Sequence, residues 1–180
     1  LAKERNLNVD IMFRIKPGID VHTHDFVKTG QIDSKFGFAL ENGEAYEAVK
    51  ESTKMSNLNL VGFHCHIGSQ IFDDEPFVEA ANVMLSFFKK IKDELNIELK
   101  SLNLGGGFGI YYSEGDCKKT YNEYAEYVKL ISQSLKTAVK EKGLKKPFLI
   151  LEPGRSIVGE AGITLYTVGS VKEIKDVKNY

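Results

Sequence analysis

LKSLNLGGGFG, residues 99–109, is an apolar run of strand length that ends in consecutive glycines. Two other motifs also follow apolar runs of strand length: HCHIGSQ at 64–70 follows the run 59–64, and EPGR at 152–155 follows the run 147–151. A helix-length segment separates each motif from the next. In a parallel α/β fold the three motifs therefore meet at the carboxyl ends of the strands, where such folds place their active sites.

The elements around these motifs alternate between strands and helices. The sequence predicts strands at 11–15, 59–64, 99–104 and 147–151, and a helix at 44–53. A second helix is expected to begin at the capping residue Asp74, to carry Pro76 in its first turn and to reach Leu95. A third is expected to run from Tyr121 to Ala138 and to stop by Gly143. This βαβαβαβ order favours right-handed crossovers between parallel strands.

Two parallel folds fit this order. An open dinucleotide-binding sheet suits the length, but GGGFGI at 105–110 has no glycine at the sixth position of its fingerprint, and the next helix begins about ten residues too late. Four strands cannot close an eight-stranded barrel, which needs about 250 residues. We therefore expect an α/β chain that forms part of a (β/α)8 TIM barrel, with its site at the carboxyl ends of parallel strands.

Composition limits the class of protein. The 180 residues are 42% hydrophobic with a formal net charge of −1, which fits one globular core and gives no reason to expect nucleic acid or an anionic membrane as a partner. No apolar run approaches the roughly 20 residues that span a bilayer. Cys65 and Cys117 cannot form a disulfide framework, so we expect a reducing cytoplasm. The opening LAKERN is typical of the end of a helix and 164–174 is strand-like, so we expect an internal piece of a longer protein.

One set of groups in the motifs suits an anion. Consecutive glycines at a strand end let the backbone approach a ligand and present N–H groups to it, and Gly107 is the first choice for that contact. Ser69 can add a hydroxyl and Arg155 a guanidinium. The same residues also fit a tight turn without a ligand and, for Arg155, a structural ion pair with Glu152.

A second set suits a nitrogen heterocycle. His66 follows a strand end, where its ring can stack on a planar cofactor, although a histidine there is also commonly structural. Glu152 can hydrogen-bond a ring nitrogen and keep it protonated. An anion site, a ring face and a partner for a pyridine nitrogen together match pyridoxal 5′-phosphate.

The histidine pairs also suggest a metal. His64 with His66, and His22 with His24, are His-x-His pairs, and neutral imidazoles are common zinc ligands. A metal-dependent hydrolase is the hypothesis that follows. The polar loop around His22 and His24 argues against it, as does the lack of an obvious bridging carboxylate after a later strand, so we predict no metal.

The motifs resemble the diaminopimelate decarboxylase branch of the alanine racemase-like, barrel-fold decarboxylases that use pyridoxal phosphate. The resemblance rests on HIGSQI at 66–71, NLGGGFGI at 103–110 and EPGRSIV at 152–158, and on HTHDFVKTGQ at 22–31 with DSKFG at 33–37. It covers essentially the whole chain. It implies that residues 1–162 are part of the cofactor-binding barrel domain and that 163–180 begin the connection to a C-terminal β-domain.

The resemblance also implies roles for individual residues. His66 stacks on the cofactor ring, Ser69 and Gly107 bind the phosphate, and Glu152 pairs with the pyridine nitrogen. Arg155 additionally contacts a substrate carboxylate. The full set implied to bind the cofactor is His66, Ser69, Gly106, Gly107, Glu152, Pro153, Gly154, Arg155 and Arg14.

The implied reaction is the decarboxylation of meso-2,6-diaminopimelate, an amino-acid substrate, to L-lysine and CO2 in a homodimer. The Schiff-base lysine and the proton-donating cysteine of the family lie outside the motifs present here, so we assign no catalytic residue and expect the chain to be inactive by itself. The Schiff-base role is not assigned to Lys16 or Lys35, and the proton-donor role is not assigned to Cys65 or Cys117. Other basic amino-acid or carboxynorspermidine decarboxylases of the same family, and a catalytically dead regulatory homologue, are the alternatives.

Overall fold

A computed structural model of the chain contains a five-stranded parallel sheet with helices in its connections. The structure describes residues 1–19 and 35–175, and the backbone of 178 and 179. The strands are β1 (Val9–Lys16), β2 (Phe38–Ala39), β3 (Leu58–His64), β4 (Ser101–Asn103) and β5 (Phe148–Ile150). Their order across the sheet is β2-β1-β3-β4-β5, and every pairing is parallel.

Three helices connect the strands close to where the sequence predicts them. They are α1 (Glu44–Thr53), α2 (Glu75–Leu95) and α3 (Tyr121–Glu141). Pro76 lies in the first turn of α2 as expected, but the side chain of Asp74 makes no capping hydrogen bond. α3 begins with a capping box between Thr120 and Glu123. Among the described residues, none of the helices has the length and apolar character that crossing a membrane requires.

The helices cover one face of the sheet. Apolar side chains from all three helices, such as Val49, Phe77 and Ile131, join a single buried cluster with Phe63 of β3 and Leu102 of β4. These two strand residues are fully buried. The core therefore lies between the sheet and the helices, as in one sector of a barrel wall.

The other face carries a row of polar side chains. Strand register pairs Arg14 with His64, and His64 with Asn103. The preceding residues, Phe63 and Leu102, are also register partners, and they point to the helices. Because side chains alternate between the faces of a strand, Arg14, His64 and Asn103 lie side by side on the face opposite the helices, which is the inside of a barrel.

Two stretches differ from the sequence prediction. β2 was not predicted, since its two residues are too short to show an alternating pattern. In 164–174 only Glu173–Ile174 forms a strand, which pairs with Lys178–Asn179. The rest of that stretch has no regular secondary structure and carries exposed side chains such as Tyr166, because apolar β-formers become a strand only where a neighbouring strand satisfies their backbone. A short helix, α4 (Arg155–Val158), and a 3-10 turn, Gly159–Ala161, follow β5.

Candidate functional site

A cavity of about 350 Å³ lies at the carboxyl ends of β3, β4 and β5. The three motifs meet there, as the parallel topology predicts. The residues that line it are His66, Ser69, Gly106, Gly107, Phe108, Glu152, Pro153, Gly154, Arg155 and Ser156. Eight of the nine residues implied to bind the cofactor are in this lining. The ninth, Arg14, lies in the polar row beside His64.

The glycine loop needs glycine for reasons of space. A Cβ on Gly107 would lie 2.0 Å from the carbonyl oxygen of Gly68, and its φ of +100° is a conformation that side chains disfavour. A Cβ on Gly106 would lie 2.2 Å from the carbonyl oxygen of Glu152. The loop after β4 is thus pressed between the loops after β3 and β5. The glycines bring three backbone segments together at one wall of the cavity.

Gln70 ties the first two loops together. Its amide Nε2 donates to the carbonyl oxygen of Ile110 at 2.9 Å, and its Oε1 accepts from the N–H of Ile110 at 3.0 Å. Two tyrosines of α3 add support: Tyr124 Oη donates to the carbonyl of Gly109 at 2.7 Å, and Tyr127 Oη donates to the carbonyl of Phe72. The loops on either side of Gly107 are therefore held by side chains from outside the cavity.

Glu152 is oriented by the polar row of the sheet. Asn103 Nδ2 donates to Glu152 Oε1 at 2.8 Å, and Asn103 Oδ1 accepts from the N–H of Gly105 at 2.8 Å. His64 Nε2 lies 4.0 Å from the same carboxylate oxygen, beyond hydrogen-bond distance. It is a buried nitrogen without a hydrogen-bond partner in the described part of the chain.

Arg155 reaches across the cavity mouth. Its Nη1 donates to Tyr112 Oη at 3.0 Å, and its Nη2 donates to Ser69 Oγ. Within the described residues Arg155 forms no ion pair with Glu152, so the alternative that the two brace their own turn is wrong. Its guanidinium instead lies directly beside Ser69, so one anion bound next to the pair can be contacted by both.

Burial keeps the imidazoles neutral. It is the largest cause that lowers the pKa of His66, and the neighbouring Arg14 guanidinium lowers it further. Burial also lowers the pKa of His64, against an opposing effect of the Glu152 carboxylate. His66 Nδ1 accepts from the N–H of Gly106 at 3.4 Å. Burial raises the pKa of the Cys65 thiol to about 12, which leaves it unsuited to proton transfer.

The described residues contain no group of three or more histidine, cysteine, aspartate or glutamate side chains that could hold a metal ion. His22 and His24, on which part of the metal hypothesis rests, lie outside the described residues. Among the described residues, His64 and His66 both lie near the Glu152 carboxylate.

The residues present fit a phosphorylated heteroaromatic ligand. Gly106 and Gly107 form a cavity wall of bare backbone, to which no side chain can be added. Ser69 and Arg155 supply hydrogen-bond donors to an anion, and Glu152 supplies an acceptor for a protonated ring nitrogen. Sequence reasoning missed Asn103 and Gln70, although both stand in the quoted motifs. The position of Asn103 between Leu102 and Leu104 in a predicted strand is the signal that could have marked it as a polar residue near the site.

Comparison with known proteins agrees with this fit. The family model described as "Pyridoxal-dependent decarboxylase, pyridoxal binding domain" matches residues 2–159. The chain is 46% identical over 180 residues to diaminopimelate decarboxylase of Bacillus methanolicus. That match covers all of this chain and 41% of the relative. The chain is also 46% identical over 180 residues to the Bacillus subtilis enzyme of the same name, of which it covers 40%. The chain thus spans about two fifths of the length of these relatives.

Solved structures give the same fold. The crystal structure of diaminopimelate decarboxylase from M. jannaschii in co-complex with L-lysine matches with a TM-score of 0.75 and 39% identity, over 99% of this chain and 39% of that chain. The Helicobacter pylori enzyme complexed with L-lysine matches with a TM-score of 0.70 and 33% identity, over 87% of this chain and 36% of that one. The predicted class, an α/β partial barrel, is confirmed.

Proposed function

Since the chain belongs to the family of pyridoxal-binding domains of pyridoxal-dependent decarboxylases, we propose that it provides the cofactor site of an enzyme that converts meso-2,6-diaminopimelate to L-lysine and CO2. The cofactor is pyridoxal 5′-phosphate. The observation that carries the proposal is that the glycine loop, Ser69, Arg155, Glu152 and His66 all line one cavity.

The phosphate is assigned to the wall made by the glycine loop. The N–H groups of Gly105 and Gly106 already donate to Asn103 and His66. Gly107 N–H has no such acceptor among the described residues, which supports Gly107 as the backbone donor to phosphate. Ser69 Oγ and Arg155 Nη2 lie on the same side and would complete the set.

The ring is assigned to the space between His66 and Glu152. When bound, pyridoxal phosphate supplies an electron sink for the charge that CO2 leaves on the substrate carbon. Glu152 would accept a hydrogen bond from the pyridine nitrogen and hold a proton there. The neutral ring of His66 presents an apolar face without adding a positive charge beside that proton.

The substrate proposal rests on the relatives. Proteins 46% identical to this chain bear the name diaminopimelate decarboxylase, and two of the matched structures bear that name and hold L-lysine, the product of the proposed reaction. We further propose that Arg155, exposed at the cavity mouth, binds a substrate carboxylate. A homodimer in the cytoplasm is proposed from the same resemblance.

The test uses the full-length protein that contains this chain, loaded with pyridoxal phosphate. Release of CO2 and L-lysine is measured with meso-diaminopimelate, and L-arginine, L-ornithine and carboxynorspermidine are supplied separately at equal concentration. Turnover of diaminopimelate alone supports the proposal. Turnover of another substrate assigns the chain to that branch of the family, and cofactor binding without any turnover supports the dead regulatory homologue.

Glu152→Ala is the matching variant for the cofactor site. We expect it to weaken pyridoxal phosphate binding by about tenfold or more, because a charged partner of the ring is removed. Glu114→Ala, an exposed glutamate outside the cavity lining, is the control and should bind as the parent does. Equal affinity of Glu152→Ala and the parent would contradict the assignment of the ring nitrogen.

A further inference from the structure

Asn103 contacts two of the loops that form the cofactor cavity, at Gly105 and at Glu152, and the proposed roles do not use it. It is the last residue of β4 and is 8% exposed. Its amide oxygen accepts from the N–H of Gly105, a group that can only donate. The amide nitrogen must therefore face Glu152, to which it donates at 2.8 Å. The orientation of the Asn103 amide is thus set by the backbone of the glycine loop.

The contact selects one oxygen of the Glu152 carboxylate. Asn103 holds Oε1, and His64, its register neighbour on β3, stops 4.0 Å short of the same atom. Within residues 1–19 and 35–175 no donor reaches the other oxygen, Oε2. A carboxylate held by one oxygen has its second oxygen available to a ligand.

We propose that Asn103 is a positioning residue that holds Glu152 Oε1 and so aims Oε2 at the ring nitrogen of the bound cofactor. The inference rests on the proposed function. Asn103 touches neither cofactor nor substrate in this scheme; it acts through Glu152. Glu152 needs such a brace because its side chain is 54% exposed and Asn103 is the one side chain among the described residues that donates a hydrogen bond to it.

Asn103 also makes a second contact, with Gly105, and an experiment must separate the two. Asn103→Asp keeps an acceptor oxygen for the Gly105 N–H and replaces the donor to Glu152 by another oxygen. Asn103→Leu removes both contacts. If Asn103 serves only the glycine loop, the aspartate variant should behave as the parent does.

The experiment uses the full-length holoenzyme. For Asn103→Asp we expect kcat to fall by roughly 10- to 100-fold, the loss associated with one hydrogen bond to a charged group, with a smaller change in KM. The visible absorbance of the bound cofactor should change its pH dependence, because the partner of the ring nitrogen is no longer held. Asn103→Leu should show the same spectroscopic change.

The chain offers a matched control. Asn59 Nδ2 donates to Asp10 Oδ1 at 2.6 Å on the same sheet, near the amino ends of β1 and β3. Asn59→Asp therefore makes the same chemical change beside a carboxylate that is remote from the cavity. It should leave kcat and the cofactor spectrum unchanged.

The pH profile adds a signature that a structural role would not give. In Asn103→Asp two carboxylates face each other, and one proton shared between them restores a donor to Glu152. The loss should therefore be smaller at low pH and larger at high pH. The charged and titratable groups around the pair are Arg14, His64, His66 and the buried thiol of Cys65. The parent contains them too, so the difference between the two pH profiles reports the proton shared by the two carboxylates.

Each outcome bears on one proposal. A parent protein that neither binds pyridoxal phosphate nor releases CO2 overturns the proposed function. An active parent with an Asn103→Asp variant of equal kcat and equal spectrum overturns only the role of Asn103. If Asn103→Asp cannot be purified folded, Asn103→Ser replaces it, because the serine hydroxyl is too short to reach Glu152; an unchanged cofactor spectrum in that variant also overturns the role.

Discussion

The loops that follow β3 and β4 are packed into the core of this chain, whereas the turn that follows β5, the last strand of the described sheet, is largely exposed. Ile71 and Leu104, beside the first two loops, are 2% and 1% exposed. On β5, Phe148 is 78% exposed, and the Glu152 side chain beyond it is 54% exposed. Both regions line one cavity, but only the first is part of a close-packed interior.

This difference separates two kinds of functional residue. Gly107 and Gln70 position the wall of the cavity by packing and by hydrogen bonds between loops, so changing them should damage both fold and binding. Arg155 works from an exposed turn, and changing it should damage binding alone. We expect substitutions in the packed loops to have larger effects on stability than substitutions in the exposed turn.

Gly107→Ala should have the largest effect. The added Cβ would lie 2.0 Å from the Gly68 carbonyl oxygen at a φ of +100°, so the two loops must separate. We expect the free energy of unfolding to fall by at least about 3 kcal/mol, measured by urea denaturation of the full-length protein. Gly115→Ala is the control, since a Cβ there meets nothing within 4 Å. Equal stability of the two variants would show that the loops are not held as described.

Gln70→Ala should destabilise the protein less. It removes both hydrogen bonds to Ile110, with an expected loss of about 1–3 kcal/mol in unfolding free energy, and it should weaken cofactor binding because the loops on either side of Gly107 are no longer tied. Gln133→Ala, at an exposed position on α3, should change stability by no more than about 0.5 kcal/mol. A Gln70→Ala variant with parental stability and affinity would show that the hydrogen bonds between Gln70 and Ile110 do not hold the two loops together.

Arg155→Ala should leave folding intact. Arg155 is exposed, and among the described residues its guanidinium donates hydrogen bonds only to Tyr112 and Ser69. We expect cofactor affinity to fall by about tenfold or more and KM to rise, with unfolding free energy within about 0.5 kcal/mol of the parent. Arg155→Lys keeps the charge without the planar fork and should recover only part of the affinity. A large loss of stability in Arg155→Ala would show that the exposed turn, like the packed loops, contributes to folding as well as to binding.

The smallest effect is a pH dependence from the buried imidazoles. Burial lowers the pKa of His64 and His66 below the ordinary value of about 6.5, so the unfolded chain takes up these protons at higher pH than the folded chain does. Unfolding free energy is therefore insensitive to them above about pH 7 and falls as the pH drops below about 6.5. Urea denaturation over that range should give a shallower slope for His66→Gln than for the parent. An identical slope would contradict burial as the cause.

The sequence determined the elements and the motifs between them. The predicted strand 59–64 is β3 apart from one residue at its start, and the three predicted helices match α1, α2 and α3 closely. Periodic apolar residues and caps are local signals, and they act over a few turns of chain. Parallel topology then places every strand end at one edge, so eight of nine predicted cofactor residues line one cavity.

Only the tertiary structure decided which side chains support that site. The Gln70 and Ile110 pair is separated by 40 residues, and the Asn103 and Glu152 pair by 49. Register across β1, β3 and β4 places Arg14, His64 and Asn103 in one row. Register is set by how whole strands pack against each other and against the helices, and a shift of one residue would turn that row to the other face. No local pattern carries that information, so these contacts appear only in the folded chain.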